Sequence, residues 1–361
     1  MNRIRKPKIA YDPVYNFHPG YHAKIVSSTQ EDIIWVPSSL SNYSEGLIRS
    51  DDANERSQIL NLGRFELSTN VDAIFSPHVL LDSDIPYFIE VEDIWWLFGD
   101  TYEEVYPPRP LDRFKIDKFE EYVMRSELKH VLWWSHAAAE RLSEFCKLNN
   151  IRRCVERKIT KNSSIVYPAE EVLISSRKNV EGSKRKSILA VFSENTLSRK
   201  GGDVVLELFT GLDEIGYSNW GLVIYGDFSQ CFIDSYSEYT NIKFRQKVGL
   251  DALQTEMVRS DIFVFLSKMD TFGTVLIQAI NSGQFILTIE SIYALALNEV
   301  LSVYPNYLSL GNYTSLDLDS KINVLKNFLN KEIKFNNSFR SPFTLKIMRK
   351  QLLNIINLIY E

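Results

Sequence analysis

Asp261 to Gly283 reads DIFVFLSKMDTFGTVLIQAINSG. Its opening DIFVFLS is a near-continuous apolar run, the pattern of a central parallel strand buried on both faces. A polar corner follows, Ser267, Lys268, Met269 and Asp270, and then Gly273 and Thr274 open an apolar helix. In an open α/β sheet, ligands bind beyond the carboxyl ends of the strands. The corner therefore carries Asp270 to a ligand-binding edge. Gln278 lies four residues after Thr274 and shares its helical face. A carboxylate and an amide suit the hydroxyls of a sugar or a ribose. The alternative is a loop cap at Asp270 and a satisfied core amide at Gln278.

Upstream, SENTLSRKGGDVVLELF (Ser193 to Phe209) follows a strand over Ile188–Phe192. Arg199, Lys200, Gly201 and Gly202 precede a helix expected over Asp203–Ile215. Two cations beside a helix N-terminus, with glycines allowing close approach, match the needs of a diphosphate. A solvated basic loop before a helix is the other reading. The glycines fit neither the dinucleotide fingerprint nor the Walker A pattern. WGLVIYG ending at Gly226, NIKFRQKV with Val248 at its end, a helix over Leu250–Arg259, and QFILTIE continue the alternation. Residues 187–340 thus read as one open α/β domain.

The first half alternates as well. KIAYD, DIIWVP, DAIFSPHVL, PYFIEVED, HVLWWSH and SSIVYPA read as strands. Asn54–Leu62, Lys115–Leu128 and His136–Leu148 read as helices, the last capped by Ser135. Such alternation predicts parallel sheets with covering helices. The polar, basic stretch LISSRKNVEGSKRKS (Leu173 to Ser187) suits a linker and sets a first domain at residues 1–180. Residues 341–361 show helical apolar spacing without a strand partner, as expected of a helix packing back on the first domain.

With 361 residues, 45% hydrophobic, 24% charged and a formal charge of −5, the chain is an ordinary globular protein without a global drive toward nucleic acid. Cys146, Cys154 and Cys231 lack metal-ligand spacing and read as reduced thiols of a cytoplasmic protein. The five histidines all lie within the first 136 residues, which excludes a histidine-based metal site in the second half. No signal-peptide pattern or membrane span is expected. A peripheral contact at the inner membrane face stays open, because Lys147 to Lys161 holds six basic residues against one acidic. A solvated face is the alternative. Asp82 and Asp84 form an Asp-x-Asp outside the context that would make it a metal site. The pairs Trp95–Trp96 and Trp133–Trp134 offer either sugar stacking or core packing.

The order strand, SRKGG, LVIYG, NIKFRQKV, DIFVFLS and DTFGTVLIQAINSG resembles the nucleotide-binding domain of retaining GT-B glycosyltransferases of the large family-4-like group. That resemblance implies two Rossmann-like domains facing across a cleft. It also implies a sugar-transfer activity drawing on a nucleotide-diphospho-sugar, with no metal cofactor. By the same resemblance, Arg199 and Lys200 with Gly201 hold the donor diphosphate, and Gly226 and Val248 line the donor side. Thr271, Phe272, Gly273 and Thr274 contact the donor sugar and phosphate with Asp270, and Gln278 holds the ribose. Relatives usually carry two glutamates, eight positions apart, where this chain has Asp270 and Gln278. The first half resembles the acceptor domain. Glu92 and Asp93 stand where many relatives carry a histidine, and are expected to be catalytic, a helix cap or an ion pair. His18 and Gly20 in NFHPGYH are the nearest match to an acceptor-side glycine loop. The implied acceptor is a hydroxyl of a glycan, a lipid-linked sugar or another cell-surface polysaccharide precursor. A catalytically idle glycan-binding or partner subunit and a sugar-nucleotide epimerase are the alternatives.

Overall fold

The computed structural model describes residues 5–14, 21–42, 60–98, 108–174, 177–182, 184–270, 272–291, 293–294, 296–312 and 317–360. The chain divides into two compact units, residues 1–168 with 345–361, and residues 169–344. The division falls at Pro168–Ala169, ahead of the polar stretch read as a linker.

The first unit contains β1 (Lys8–Tyr11), β2 (Ile34–Pro37), β3 (Ser39–Asn42), β4 (Leu62–Glu66), β5 (Ala73–Pro77), β6 (Leu80–Leu81), β7 (Tyr87–Val91), β8 (Leu128–Trp133) and β9 (Ser163–Ile165). Six of them form one parallel sheet in the order β2-β1-β5-β7-β8-β9. β3, β4 and β6 form a small separate sheet. The helices are α1 (His22–Thr29), α2 (Arg113–Met124), α3 (His136–Leu148) and α4 (Arg153–Lys161), joined by α11 (Leu345–Tyr360), which packs on α1. Arg349 of α11 secures that contact by reaching Asp32 at 2.6 Å.

β5 and β7 are buried at every position, which explains their unbroken apolar sequence. Ser135 caps α3 by accepting from the Ala138 N–H at 3.0 Å. The helix expected over Lys115–Leu128 ends at Met124, and Leu128 opens β8. Of the helix expected at Asn54–Leu62, residues 54–59 lie outside the described residues. Leu62 itself begins β4, paired with Leu80. The basic run folds as the amphipathic α4, with Val155 and Ile159 buried and Arg153 and Arg157 exposed.

The second unit contains β10 (Lys186–Val191), β11 (Trp220–Gly226), β12 (Ile242–Gln246), β13 (Ile262–Phe265), β14 (Met269–Asp270), β15 (Phe285–Glu290), β16 (Tyr293–Ala294) and β17 (Tyr307–Asn312). Its parallel sheet runs β12-β11-β10-β13-β15-β17. Between the strands come α5 (Gly202–Glu214), α6 (Gln230–Asp234), α7 (Leu250–Arg259), α8 (Thr274–Asn281), α9 (Leu297–Val303) and α10 (Leu318–Leu329). All four residues of β13 are buried, as its sequence demands. Around it lies a core with Ile188, Ala190, Leu222, Ile224, Leu287 and Phe209. The strand order reverses direction between β10 and β13, so the loops after these two strands diverge and leave a crevice at the carboxyl edge.

Candidate functional site

The loop after β10 supplies Arg199 and Lys200, and the corner after β13 supplies Asp270. These are the two strands flanking the switch point of the second sheet. Lys200 Nζ donates to Asp270 Oδ2 in an ion pair, and the Ser267 hydroxyl lies 3.4 Å from the same carboxylate oxygen. A second pair runs between the same loops, with Lys268 Nζ 2.6 Å from Asp203 Oδ2 in the first turn of α5. The backbone binds them further, since Lys268 N–H donates to the Arg199 carbonyl at 2.9 Å.

Gly201 makes this approach possible. It sits in the left-handed region at φ 66°, and a Cβ there would come 1.9 Å from the Leu266 carbonyl oxygen. Gly226 does the same between β11 and β10, where a Cβ would meet the Phe192 carbonyl oxygen at 1.8 Å. Both glycines admit the protein's own backbone, whereas the sequence reading had assigned Gly201 to close approach by a diphosphate. Nor do the N–H groups there stand open as expected. Lys200, Gly201 and Gly202 donate to the carbonyls of Thr196, Ser198 and Leu197 at 2.8, 3.1 and 2.7 Å, closing a tight turn.

The helix start that stays open is that of α8. Gly273 takes the left-handed conformation at φ 71°, and its carbonyl receives the N–H groups of Leu276 and Ile277. The preceding N–H groups, of Gly273, Thr274 and Val275, form the unsatisfied first turn that every helix leaves. The Phe272 ring does not face a ligand site. The side chain is buried and meets the Phe343 ring edge-on at 5.9 Å between centroids. An apolar ring beside the Gly273 turn is held better by core packing than by a polar donor. Thr271 lies outside the described residues.

Gln278 is buried, and its amide nitrogen donates to Glu170 Oε1 at 3.1 Å. Asn281, one turn on, donates to the Glu170 and Phe343 carbonyls at 3.0 Å each. The amide expected to hold a ribose is thus engaged by a buried carboxylate. Glu170 was missed in the sequence. It sits in the segment YPAEEV with no periodic signal, 108 residues from its partner.

Beside Lys200 opens a hollow of about 220 Å³ lined by Val191, Thr196, Lys200, Gly226, Lys247 and Val248. It brings together three residues picked from the sequence, Lys200, Gly226 and Val248, from the ends of different strands. Glu194, Asp227, Phe228 and Gln246 line an adjoining hollow.

In the first unit, Asp93 is fully buried and caps the short helix Ile94–Leu97, accepting from the Trp95 N–H at 3.1 Å. Arg141 Nε lies 3.7 Å from its other oxygen. Of the roles read for Asp93 from the sequence, the enclosed carboxylate fills two, helix cap and ion-pair partner, and its burial leaves it no opening to a substrate. Glu92 is half-buried at the end of β7. Trp95, Trp133 and Trp134 are core residues, and Trp96 alone of the four is half-buried. Asp82 is bound by Arg125 at 2.6 Å and by Arg64, which hold its carboxyl below the usual range. Asp82 of the Asp-x-Asp is therefore a salt-bridge residue. Among the described residues no cluster of three His, Cys, Asp or Glu is placed to hold a metal, and the three cysteines are unbridged. None of the described helices is long and apolar enough to cross a membrane. His18 and Gly20 lie outside the described residues.

Among curated proteins none matches the chain by sequence. Solved structures match its fold. Anabaena HepE in complex with UDP-glucose superposes with a TM-score of 0.57 at 11% identity, covering 97% of this chain and 99% of that one. WaaG, a glycosyltransferase involved in lipopolysaccharide biosynthesis, gives 0.50 at 12% identity over 95% and 94% of the two chains. The pneumococcal O-GlcNAc transferase GtfA, in complex with UDP and GlcNAc, gives 0.51 at 12% identity over 80% of this chain. The chain spans 57% of GtfA, little more than half its length. Its α/β architecture with two parallel sheets is that of the GT-B glycosyltransferase structures, and residues 174–296, which contain the switch point with Lys200 and Asp270, match the model of glycosyl transferases group 1.

Proposed function

We propose that the chain transfers a sugar, a hexose in the simplest case, from a nucleotide-diphospho-sugar to an acceptor hydroxyl, with retention of anomeric configuration. One observation carries this reading. Lys200 and Asp270 meet at the switch point of the second sheet, beside a hollow reaching Gly226, Lys247 and Val248. A departing nucleoside diphosphate develops negative charge, and fixed cations stabilise it. Arg199 and Lys200 supply those cations in place of a metal ion. Asp270 orients the donor sugar, and the α8 N-terminus at Gly273 and Thr274 adds dipole and N–H groups. Gln278, fixed by Glu170, offers its carbonyl oxygen to the ribose. Glu92, half-buried just after β7, is the acceptor-side carboxylate of this reading.

The acceptor is a glycan or a lipid-linked sugar of a cell-surface polysaccharide. The setting is the cytoplasm, with the exposed cations of α4 available for a peripheral contact at the membrane. HepE was solved with UDP-glucose, which makes UDP the first nucleotide to test here. Thermal shift with UDP, GDP, ADP and their sugar conjugates should show one stabilising nucleotide. Lys200→Ala should lower its affinity by about 10- to 100-fold, the range for losing a charge-assisted bond, with an unchanged circular dichroism spectrum. EDTA should leave transfer unaffected. Full activity in Lys200→Ala would sink the assignment.

A second reading, an idle chain of this fold that partners a glycan or another transferase, has one observation in its favour. Both polar groups meant for the donor, Asp270 and Gln278, are engaged by protein groups, Lys200 and Glu170. Such a chain would bind no nucleotide in the thermal-shift series.

A further inference from the structure

We infer that the second unit binds a small hydroxylated aromatic carboxylate at the amino edge of its sheet, in a hollow between Asn281 and Arg340. This site is separate from the donor edge and independent of the transferase reading.

The hollow measures about 140 Å³, with Ile174, Arg177, Ile280, Asn281, Phe339 and Arg340 among its walls. Gly283 and Asn306 border it as well, and they stand just before β15 and β17, so it lies where these strands begin. Lys200 and Asp270 lie at the opposite edge, where the strands end. β15 has six residues, and at about 3.3 Å per residue the two edges are about 20 Å apart.

The floor asks for a hydrogen-bond donor. Asn281 is 1% exposed, and its Nδ2 donates to the Glu170 and Phe343 carbonyls at 3.0 Å each. Those two bonds fix the other atom of the amide as the oxygen. Among the described residues that Oδ1 has no partner. Buried acceptors are nearly always paired in folded proteins, so a hydroxyl or N–H belongs here.

The rim asks for an anion. Arg177 is spent on the protein itself, donating to the carbonyls of Met257, Val258, Ser260 and Ser282, where α7 and α8 end. Arg340 is exposed and donates only through Nη1, to the Asn337 and Phe339 carbonyls at 3.3 and 3.1 Å. Its Nε and Nη2 are left for a carboxylate, which an arginine takes through two parallel bonds. No carboxylate lines the hollow, and Asp261 acts on Arg177 only from beyond ion-pair distance. Two uncompensated guanidinium charges favour an anion and repel an ammonium.

Between floor and rim the walls are apolar. Ile174 and Ile280 face the space with the Phe339 ring, which is held edge-on by Tyr304 at 5.0 Å between centroids. A hollow of about 150 Å³ is enough for benzene. One aromatic ring therefore fills the site, with a hydroxyl at one end for Asn281 and a carboxylate at the other for Arg340. A bare ring leaves Asn281 unpaired, and a small inorganic anion leaves the apolar walls wet.

Calorimetric titration of the full chain with 4-hydroxybenzoate tests this, against three probes that each lack one feature: benzoate the hydroxyl, phenol the charge, inorganic phosphate the ring. Saturable binding at a single site is expected, at least tenfold tighter than any of the three. Arg340→Gln should weaken it tenfold or more, with the melting temperature of the unliganded protein unchanged. Val172, 48% exposed on the rim, gives a second variant, since Val172→Phe should fill the hollow and abolish binding. Saturating UDP should leave the affinity as it is. The proposal is overturned if 4-hydroxybenzoate does not bind, if any of the three probes binds as tightly, if either variant binds like wild type, or if UDP displaces the ligand. Binding of 4-hydroxybenzoate without any nucleotide shift would support this site while removing the transferase reading, and a nucleotide shift without such binding would remove this site alone.

Discussion

The two parallel sheets meet the same problem, ionisable groups at a switch point, and solve it in different ways. In the second unit the charges keep only partial contact with solvent, the Lys200 side chain 24% exposed and that of Asp270 9%, and cancel in pairs between loops, Lys200 with Asp270 and Lys268 with Asp203. In the first unit they are buried. His22 and Glu90 are each about 1% exposed, and Asp93 is fully enclosed as a cap. A partly solvated pair can be reopened by a charged ligand, because water and the ligand replace what the pair loses. A buried pair cannot be opened without stranding a charge, at a cost of several kcal/mol. The second edge is therefore suited to an anion that comes and goes, and the first to holding a fixed, neutral surface.

The sharpest way to break this contrast is Gly226→Ala. In the second unit the loops converge only because backbone meets backbone, and the new methyl would sit 1.8 Å from the Phe192 carbonyl oxygen. No flexible side chain can yield there, so a loss of about 3–5 kcal/mol is expected, at the upper end for a single substitution. Chemical denaturation should show that loss, and nucleotide binding should fall with it. A variant as stable as wild type would mean that the strand ends are not held together in this way.

The next largest effect concerns acid. Burial pushes His78 and His130 down to about 4. Between the unfolded value near 6.5 and the folded value near 4, the unfolded chain binds protons that the folded chain refuses. Stability is therefore complete above about pH 6.5 and declines as pH falls toward 4. Hydrogen exchange followed across that range should place the loss in the first unit. His130→Asn should flatten the slope. Equal losses in both units would erase the contrast.

The smallest effect is expected from Asp270→Asn. Removing the partner of Lys200 frees the ammonium for the diphosphate, so nucleotide affinity should rise a few-fold. Transfer should fall, since the group orienting the sugar has lost its charge. Weaker nucleotide binding in this variant would show that the pair pre-forms the site.

Legibility in the sequence followed periodicity. DIFVFLS announced β13, WGLVIYG announced β11, and the helix over Leu250–Arg259 appeared with the bounds expected. Those segments carry their environment in their own composition. The Arg199–Lys200 and Asp270 corners were legible for a related reason, since polar residues directly after a buried strand must emerge at its carboxyl edge. The partners of those residues were not legible. Glu170 meets Gln278 across 108 residues, and His22 meets Glu90 across 68, with no local pattern to signal either contact. Asp93 looked like a catalytic carboxylate because cap and catalyst share a chemistry and differ only in burial. Likewise Phe272 shares its turn with Gly273, but its side chain turns into the core against Phe343.

By itself the sequence determined the alternation of strands and helices, the parallel sheets, and the strand ends that carry the charged residues, because hydrophobic period and turn chemistry act over a few residues at a time. The tertiary structure alone decided which of those charges neutralise one another, which glycines admit a neighbouring backbone rather than a ligand, and which polar groups stay within reach of a substrate. Those outcomes depend on burial and on contacts between residues far apart in the chain, and local composition carries no record of either.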